Sequence, residues 1–588
     1  MTRLVLTADD PPVAGEGVEW LGPWCLSDAQ LLEHWRAGGR WEPMEGRVAA
    51  AAAFTARASE WLLTHWVETL NQRHGRQYSR RWWGLLLRAW LITLCDLSFD
   101  KYVRLRARAG VPLRIRVWPA GRPFAITDTR DFLTSADETP LTHFVASHLV
   151  RAIADSAWQV EEWPGAARDS AQAASRRDSA RSRARRLRLK HWASVAASVP
   201  GRVLSLNVYG LGYGAAARLS AGVRTRAAGR RPHVDDAPAV RSSQHQSAVD
   251  AFVSGGFGTP DEAALLLNAL ESLSTALLPE NLDTGFTAFE ASAFRLARYV
   301  PRRVDTVVCG PVLGGDDEGK AVVAALVETR GARLVVTQHG GCYGMLETYS
   351  FVTQTDYRCG DEFFSWGWDR HAGCLDRATP VPAPLLATLT RRTPTPAVVL
   401  VGTNVPGCNS RFDSALFREH LPAYRDAQRR FAQALDSDTR SHLAVRPYSR
   451  TAASERTFWR AAAPDVAFVE GPLAPRLETA RLVVIDHPGT TFLMTLAAGI
   501  PTVAFWDRDV WRLAVSAAPE TDALREAGIL FADPESAAAH VNRVSRTVGQ
   551  WWDAAGTQQA LHRFTSKLAR HSHDWLPAWR AALSGEHA

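Results

Sequence analysis

Two stretches of the 588-residue chain put chemically capable side chains at the ends of apolar runs. In "LVVTQHGGCYG" (334–344), Leu334 to Thr337 have the character of a buried strand, and the chain then meets Gln338, His339, Gly340, Gly341, Cys342 and Tyr343. A surface turn needs only Gly, Asn, Asp or Pro, so an amide, an imidazole and bare backbone at a strand mouth ask for a further reason. His339 has the chemistry of a general base or of a donor to a phosphate or leaving oxygen. Gln338 and Tyr343 can orient a substrate, and Gly340 and Gly341 let backbone approach one closely. The alternative is a structural corner around a structural histidine. His339 and Cys342 have metal-like spacing, but no second ligand pair accompanies them, so no metal is expected.

The second stretch is "LVVIDHPGTTFLMTLAAGIPTVAFWD" (482–507). A strand ends at Asp486; His487, Pro488, Gly489, Thr490 and Thr491 follow, and an apolar helix runs to Gly499. Gly489 permits close approach. Thr490 and Thr491 stand where free N–H groups and the helix dipole suit a phosphate. Simple N-capping by Thr490 explains the same residues. Arg446, ending the strand-like "LAVR", is suited to neutralising a pyrophosphate or to an ordinary surface ion pair. "GGDDEGKA" (314–321) formally matches GxxxxGK, but Ala321 replaces the Mg²⁺-binding Ser or Thr, and Asp316, Asp317 and Glu318 would repel phosphate. "GLGYG" (210–214) is glycine-rich without a full dinucleotide fingerprint.

These residues need a scaffold. After residue 295 the rhythm is strand, loop, helix: "VDTVVCG" (304–310) and "ARLVVTQHG" (332–340) flank the helical "EGKAVVAALVETRG". After a linker, "RRTPTPA" (391–397), it restarts with strands at 398–403, 443–448, 466–471, 482–488, 502–507 and 528–533. Such alternation predicts parallel sheets with crossover helices, whose ligands bind at the carboxyl ends of strands. Upstream, "RLVLTA" (3–8) and "VEWLGPWCL" (18–26) read as strands. Residues 47–75 read as a helix ended by Gly75, and 79–110 as one opened by Ser79 and closed by Gly110. The expected fold class is α/β, two Rossmann-like doubly wound domains facing a cleft, with a helical N-terminal elaboration. The expected domains are residues 1–390, on the acceptor side with a helical insertion at about 47–200, and 391–588, on the nucleotide side.

Composition sets limits. With 46% hydrophobic and 22% charged residues, the chain is an ordinary globular one, too long for a single core. A net charge of +7 favours anionic partners without marking a nucleic-acid binder. Residues 165–190, rich in Arg, Ser and Ala, read as a solvated helix or loop, or as a basic surface for anionic lipid or glycan; 223–249 read as a loop. Seven cysteines without a repeated spacing and an N-terminus without a long apolar run predict a reduced, cytoplasmic protein. The most apolar run, residues 82–99, carries Arg88 and Asp96 and reads as a buried core helix.

Several segments together carry a family resemblance. "WLGPWC", "LNQRHGRQYSRRWWGLLLRAWL", the Gln338–Gly344 segment, Trp366-Gly367-Trp368 and the Gly489–Met494 segment appear in this order. The chain thereby resembles a family of transferases of bacterial surface-polysaccharide (O-antigen) biosynthesis, marked by QHGG-x-YG and STTFLE-like segments. The resemblance implies a glycosyltransferase-B-like fold and a role in lipopolysaccharide or capsule assembly. Two positions depart from the pattern: Gly489 replaces a Ser, and Met494 stands at an acidic position that in many such enzymes holds donor hydroxyls. The His487-Pro488 pair resembles the HP element of transferases using CMP-activated acidic sugars. "DSD" (436–438) and "DRD" (507–509) resemble the DxD of metal-dependent sugar transferases; of these only Asp507 is kept, as a donor-side candidate.

The expected activity is metal-independent transfer of a sugar from a nucleotide-activated donor to a glycan or lipid-linked glycan acceptor, with no cofactor. His339 and Gln338 would be catalytic. Gly340, Gly341, Tyr343, Arg446, Asp486, His487, Gly489, Thr490, Thr491 and Asp507 would bind donor or substrate. Peripheral inner-membrane association goes with this reading. The alternatives are a CDP-alcohol or glycerophosphate-type transferase on the same loops, and a non-enzymatic assembly scaffold.

Overall fold

The computed structural model describes the chain except residues 14, 42–43, 45, 164–169, 224–232, 237–238, 450 and 586–588, and the side chains of 170–174. Among the described residues, the strands form three sheets, and every strand pairing is parallel. The first holds β1 (Thr2–Val5), β2 (Val18–Trp20), β3 (Leu113–Val117) and β4 (Trp158–Glu162), in the order β2-β1-β3-β4. The second holds β5 (Val203–Leu206), β6 (Thr306–Cys309), β7 (Arg333–Thr337), β8 (Glu362–Ser365) and β9 (Thr379–Pro380), in sequence order. The third holds β10 (Val398–Val401), β11 (Leu443–Arg446), β12 (Ala467–Phe468), β13 (Leu482–Ile485), β14 (Thr502–Phe505) and β15 (Leu530–Phe531), in the order β12-β11-β10-β13-β14-β15.

The strands of the third sheet explain themselves. VVLV, LVVI and TVAF are buried at every position, as in central parallel strands covered on both faces. The chain moves outward from β10 to β12, returns to β13 beside β10, and moves out the other way. That reversal opens a crevice at the carboxyl ends of β10 and β13. The fold is α/β and Rossmann-like in its sheets, as expected, but with three sheets instead of two. The segment expected as a helical insertion, about 47–200, carries β3 and β4, which join β1. Their sequences, LRIRV and WQVEE, turn charged residues outward and so lack the apolar run of a central strand.

Two long helices stand among the sheets. Val48–His74 ends on Gly75 in the left-handed conformation, and Arg80–Arg106 starts from the Ser79 side chain, which accepts from the Trp82 amide. The second helix is long and apolar enough to cross a membrane, and its whole apolar window is buried inside the protein. A helix apolar all round belongs in a core, and here its cations are paired. Arg81 meets Asp361 at 2.8 Å, Arg88 meets Glu60 and Asp235, and Arg104 meets Asp100 and Glu419. Lys101 donates to the Asn409 carbonyl at 2.6 Å. The helix thus ties the second sheet (Asp361, before β8) to the loop after β10.

Three local expectations are corrected. Only Val18–Trp20 of 18–26 is strand, because Pro23 opens a 3-10 turn. The helix expected to end at Gly110 ends at Arg106. Of 223–249, read as a loop, residues 241–249 begin the helix Arg241–Ser254, while 224–232 and 237–238 lie outside the described residues. Of 165–190, residues 165–169 are also outside, and the remainder belongs to the helix Ser170–Ser198.

Candidate active site

β7 delivers Gln338 and His339 to the carboxyl end of the second sheet; β13 delivers Asp486 and His487 to that of the third. The two strand-end loops touch. The Gly341 amide donates to Thr490 Oγ1 at 2.8 Å, and the Cys342 thiol donates to the Pro488 carbonyl at 3.3 Å. A Cβ on Gly341 would lie 2.5 Å from the Thr490 nitrogen and still closer to the Gly489 carbonyl carbon. Gly341 is therefore glycine because another loop's backbone lies against it. Cys342 takes φ +72°, a conformation L-residues rarely adopt, and burial pushes its thiol up to about 12, so it offers no thiolate. Beyond it the chain is sewn to the third sheet's loops: Leu346 bridges Leu513, and Ala514 N–H donates to the Met345 carbonyl at 2.7 Å.

On the first wall, His339 keeps 24% of its side chain exposed, with Nδ1 3.4 Å from Asp356 Oδ2. Tyr343 donates to the same oxygen at 2.6 Å and sits 3.1 Å from both His339 nitrogens. Burial holds the His339 pKa below the usual 6.5, and Asp356 pulls the other way. Burial raises Asp356 above the usual carboxylate range, and the nearby His339 lowers it. His339 is thus neutral at pH 7, held beside a carboxylate and a phenol and a quarter exposed, which is compatible with a general base. Asp356 comes from a π-helical turn, Thr353–Tyr357, a rare form concentrated at functional sites. Tyr209, 43% exposed, packs edge-on against the His339 ring at 5.8 Å.

Gln338 is placed otherwise than a catalytic amide. It is 2% exposed; its oxygen accepts from the Trp366 amide and the Trp368 indole, both at 2.9 Å, and its nitrogen donates to the Gly340 carbonyl at 2.9 Å. It pins the QHGG turn to the WGW segment. Tyr343, buried at 1%, lies behind His339.

On the second wall, Asp486 is 2% exposed. It accepts from Tyr424 (2.9 Å) and Gln428 (2.7 Å) on one oxygen and faces His487 Nδ1 at 3.0 Å with the other. This fixes the imidazole; its Nε2 bonds to none of the described residues. Gly489 precedes the helix Thr490–Ala497 without a side-chain cap, so Thr490 does not cap it. The Thr490 hydroxyl instead accepts from Gly341, and Thr491 is half-buried on the first turn. Met494 packs half-buried against the core. Arg446 is level with Ile485 through the register Arg446–Val401–Ile485. That puts it two strand spacings, about 10 Å, from the His487 loop. Its guanidinium donates to the Val469 carbonyl at 3.1 Å and pairs with no carboxylate of the described residues. Asp507 is exposed, accepts from the Asp509 amide, and lines a separate 330 Å³ cavity with Asp413, Trp35 and Trp41. Asp436 of "DSD" caps a short helix.

The structure thus brings His339, Gly340, Gly341, Tyr343, Asp486, His487, Gly489, Thr490 and Thr491 into one neighbourhood, with Arg446 at its edge and Asp507 apart. Sequence reasoning missed Asp356, Tyr209, Tyr424 and Gln428. Tyr209 had a signal in the glycine-rich run beside it; "TQTDY" had none.

The model of the LIC12162 transferase family matches residues 2–583, nearly the whole chain. The chain belongs to that family. No curated protein matches it. As a family member it is a transferase, and the two touching walls are where its transfer chemistry has candidate groups.

Proposed function

We propose that this transferase moves a glycosyl group from a nucleotide-activated donor to a surface-polysaccharide acceptor, in the junction between the β7 and β13 loops. One observation carries the reading: the Gly341–Thr490 contact, which sets the His339–Asp356 pair of one sheet beside the uncapped helix start and the Asp486–His487 pair of the other. In this reading the third sheet holds the nucleotide at the β10–β13 crevice. Backbone N–H groups of Thr490 and Thr491 and the His487 imidazole meet its phosphates, and Arg446 adds positive charge. His339 takes the proton of the acceptor hydroxyl as that oxygen attacks the sugar carbon. The bond from that carbon to the phosphate oxygen breaks, and its electron pair leaves with the nucleotide. Asp356 and Tyr343 hold the imidazole in place, and stabilisation of the departing charge supplies the remaining rate. With Met494 in place of a carboxylate, donor hydroxyls would be held by other groups, such as Tyr209.

Calorimetry with UDP, GDP, CDP and CMP tests the reading. Binding of at least one nucleotide, weakened by His487→Ala and Arg446→Ala, is expected. Absence of binding by all four would end it in favour of a scaffold, and binding of CDP-glycerol with no nucleotide sugar bound would move it to phospho-alcohol transfer.

A further inference from the structure

The helix Ser170–Ser198 is two-sided in its use of arginine. Facing inward, Arg176 reaches Asp131 (2.8 Å), Arg177 reaches Glu280 (2.6 Å), Arg183 reaches Asp128 (2.6 Å) and Arg188 reaches Glu318 (3.1 Å). These cations fasten the helix to the body. Facing outward, Arg181, Arg185, Leu189 and Trp192 fall within one stripe of roughly 80° at 100° per residue. Arg185 is exposed and pairs with no carboxylate of the described residues; Arg181 has the exposed Asp178 at 3.4 Å.

The stripe does not end at the helix. Trp192 meets Tyr299 edge-on at 4.8 Å, joining this helix to Phe286–Tyr299. Arg295, one turn before Tyr299, and Arg298 beside it are exposed, again without a carboxylate partner among the described residues. Amid these cations, Leu189, Trp192 and Tyr299 are 64%, 38% and 63% exposed. We propose that this face docks on an anionic lipid bilayer. The cations match a negative headgroup layer. A soluble polyanion would use the cations alone, whereas an aliphatic chain, an indole and a phenol gain from burial only where an apolar phase lies beneath the charge. Both helices precede strands of the second sheet, and Arg188 and His191 reach Glu318 and Asp316 just after β6.

Flotation of the full chain with vesicles tests this. Binding to phosphatidylcholine vesicles containing phosphatidylglycerol, little binding to phosphatidylcholine alone, and loss at high salt are expected. Arg185→Ala with Arg295→Ala should lower the partition roughly fivefold for each cation removed. Trp192→Ala with Tyr299→Ala should lower it too, while heparin binding stays unchanged. Equal binding to both vesicle types would overturn the proposal, as would arginine variants that float like the parent. An aromatic pair without effect on flotation, beside arginine-dependent heparin binding, would reassign the face to a soluble polyanion. Unchanged melting temperature and nucleotide binding in both variants confirm that the fold and the β13 wall are intact.

Discussion

Gly341→Ala probes the joint between the two walls. The added Cβ would stand 2.5 Å from the Thr490 nitrogen and closer to the Gly489 carbonyl carbon, both of them backbone. Ordinary carbon contacts begin near 3.5 Å, so the loops must part by about 1 Å. Overpacking of this kind costs about 1–3 kcal/mol. The 2.8 Å bond from Gly341 to Thr490 would lengthen as well, forfeiting about 1 kcal/mol. For the chemistry, a displacement of about 1 Å between groups on opposite walls costs on the order of 10²-fold in turnover. The assay pairs thermal unfolding with single-turnover nucleotide release from the donor identified by the calorimetric panel. Gly556→Ala is the control, because a Cβ there meets nothing within 4 Å. The variant should lose both stability and turnover while the control keeps both. A Gly341→Ala protein with turnover within twofold of the parent would refute the argument that the two loops act as one site.

Two further outcomes follow from titration. Because burial holds His339 below 6.5, kcat/KM should fall on the acid side only below that pH, as the base becomes protonated; Asp356→Asn removes the carboxylate that raises it, so the acid limb should move to still lower pH, which a pH–rate profile reads directly. Asp96, buried in the long central helix beside Asp413, has its pKa raised by burial to about 8 from 3.8. The folded protein therefore keeps a proton that the unfolded chain has lost: this contribution to stability is full below 3.8 and is lost as pH rises to about 8, on the order of 5 kcal/mol. Denaturant titrations at several pH values should show that decline in the parent and a flatter profile in Asp96→Asn. An equally steep profile in the variant would remove Asp96 as its source.

What could be read in advance was local. Runs such as LVVI and VVLV, followed by glycine and polar residues, announce parallel strands and their mouths without knowledge of any partner. The doubly wound third sheet and the placement of His339, His487 and Thr490 at strand ends were legible on that basis. What depended on distant chain was not. Gln338 looked like a catalytic amide until Trp366 and Trp368, nearly thirty residues on, were seen to occupy it. Gly341 looked like a concession to a ligand, and its nearest neighbour is another loop. Asp356 reaches His339 from a π turn, and no local pattern encodes that turn. β3 and β4 escaped notice because arginine and glutamate interrupt the apolar run. Residues 165–190 read as a solvated segment or a basic surface because their sequence cannot say which arginines will find carboxylates; four of them find ones on other elements.

The central claim is that His339 handles a proton in a transfer whose nucleotide is held by the opposite wall. It is tested most directly by His339→Ala, with single-turnover nucleotide release and nucleotide affinity measured on the same preparation. The account predicts a loss of at least about 10²-fold in turnover with nucleotide affinity within about twofold of the parent, since the proposal rests the phosphate groups on the β13 loop. Turnover within a few-fold of the parent, at unchanged nucleotide affinity, would contradict it.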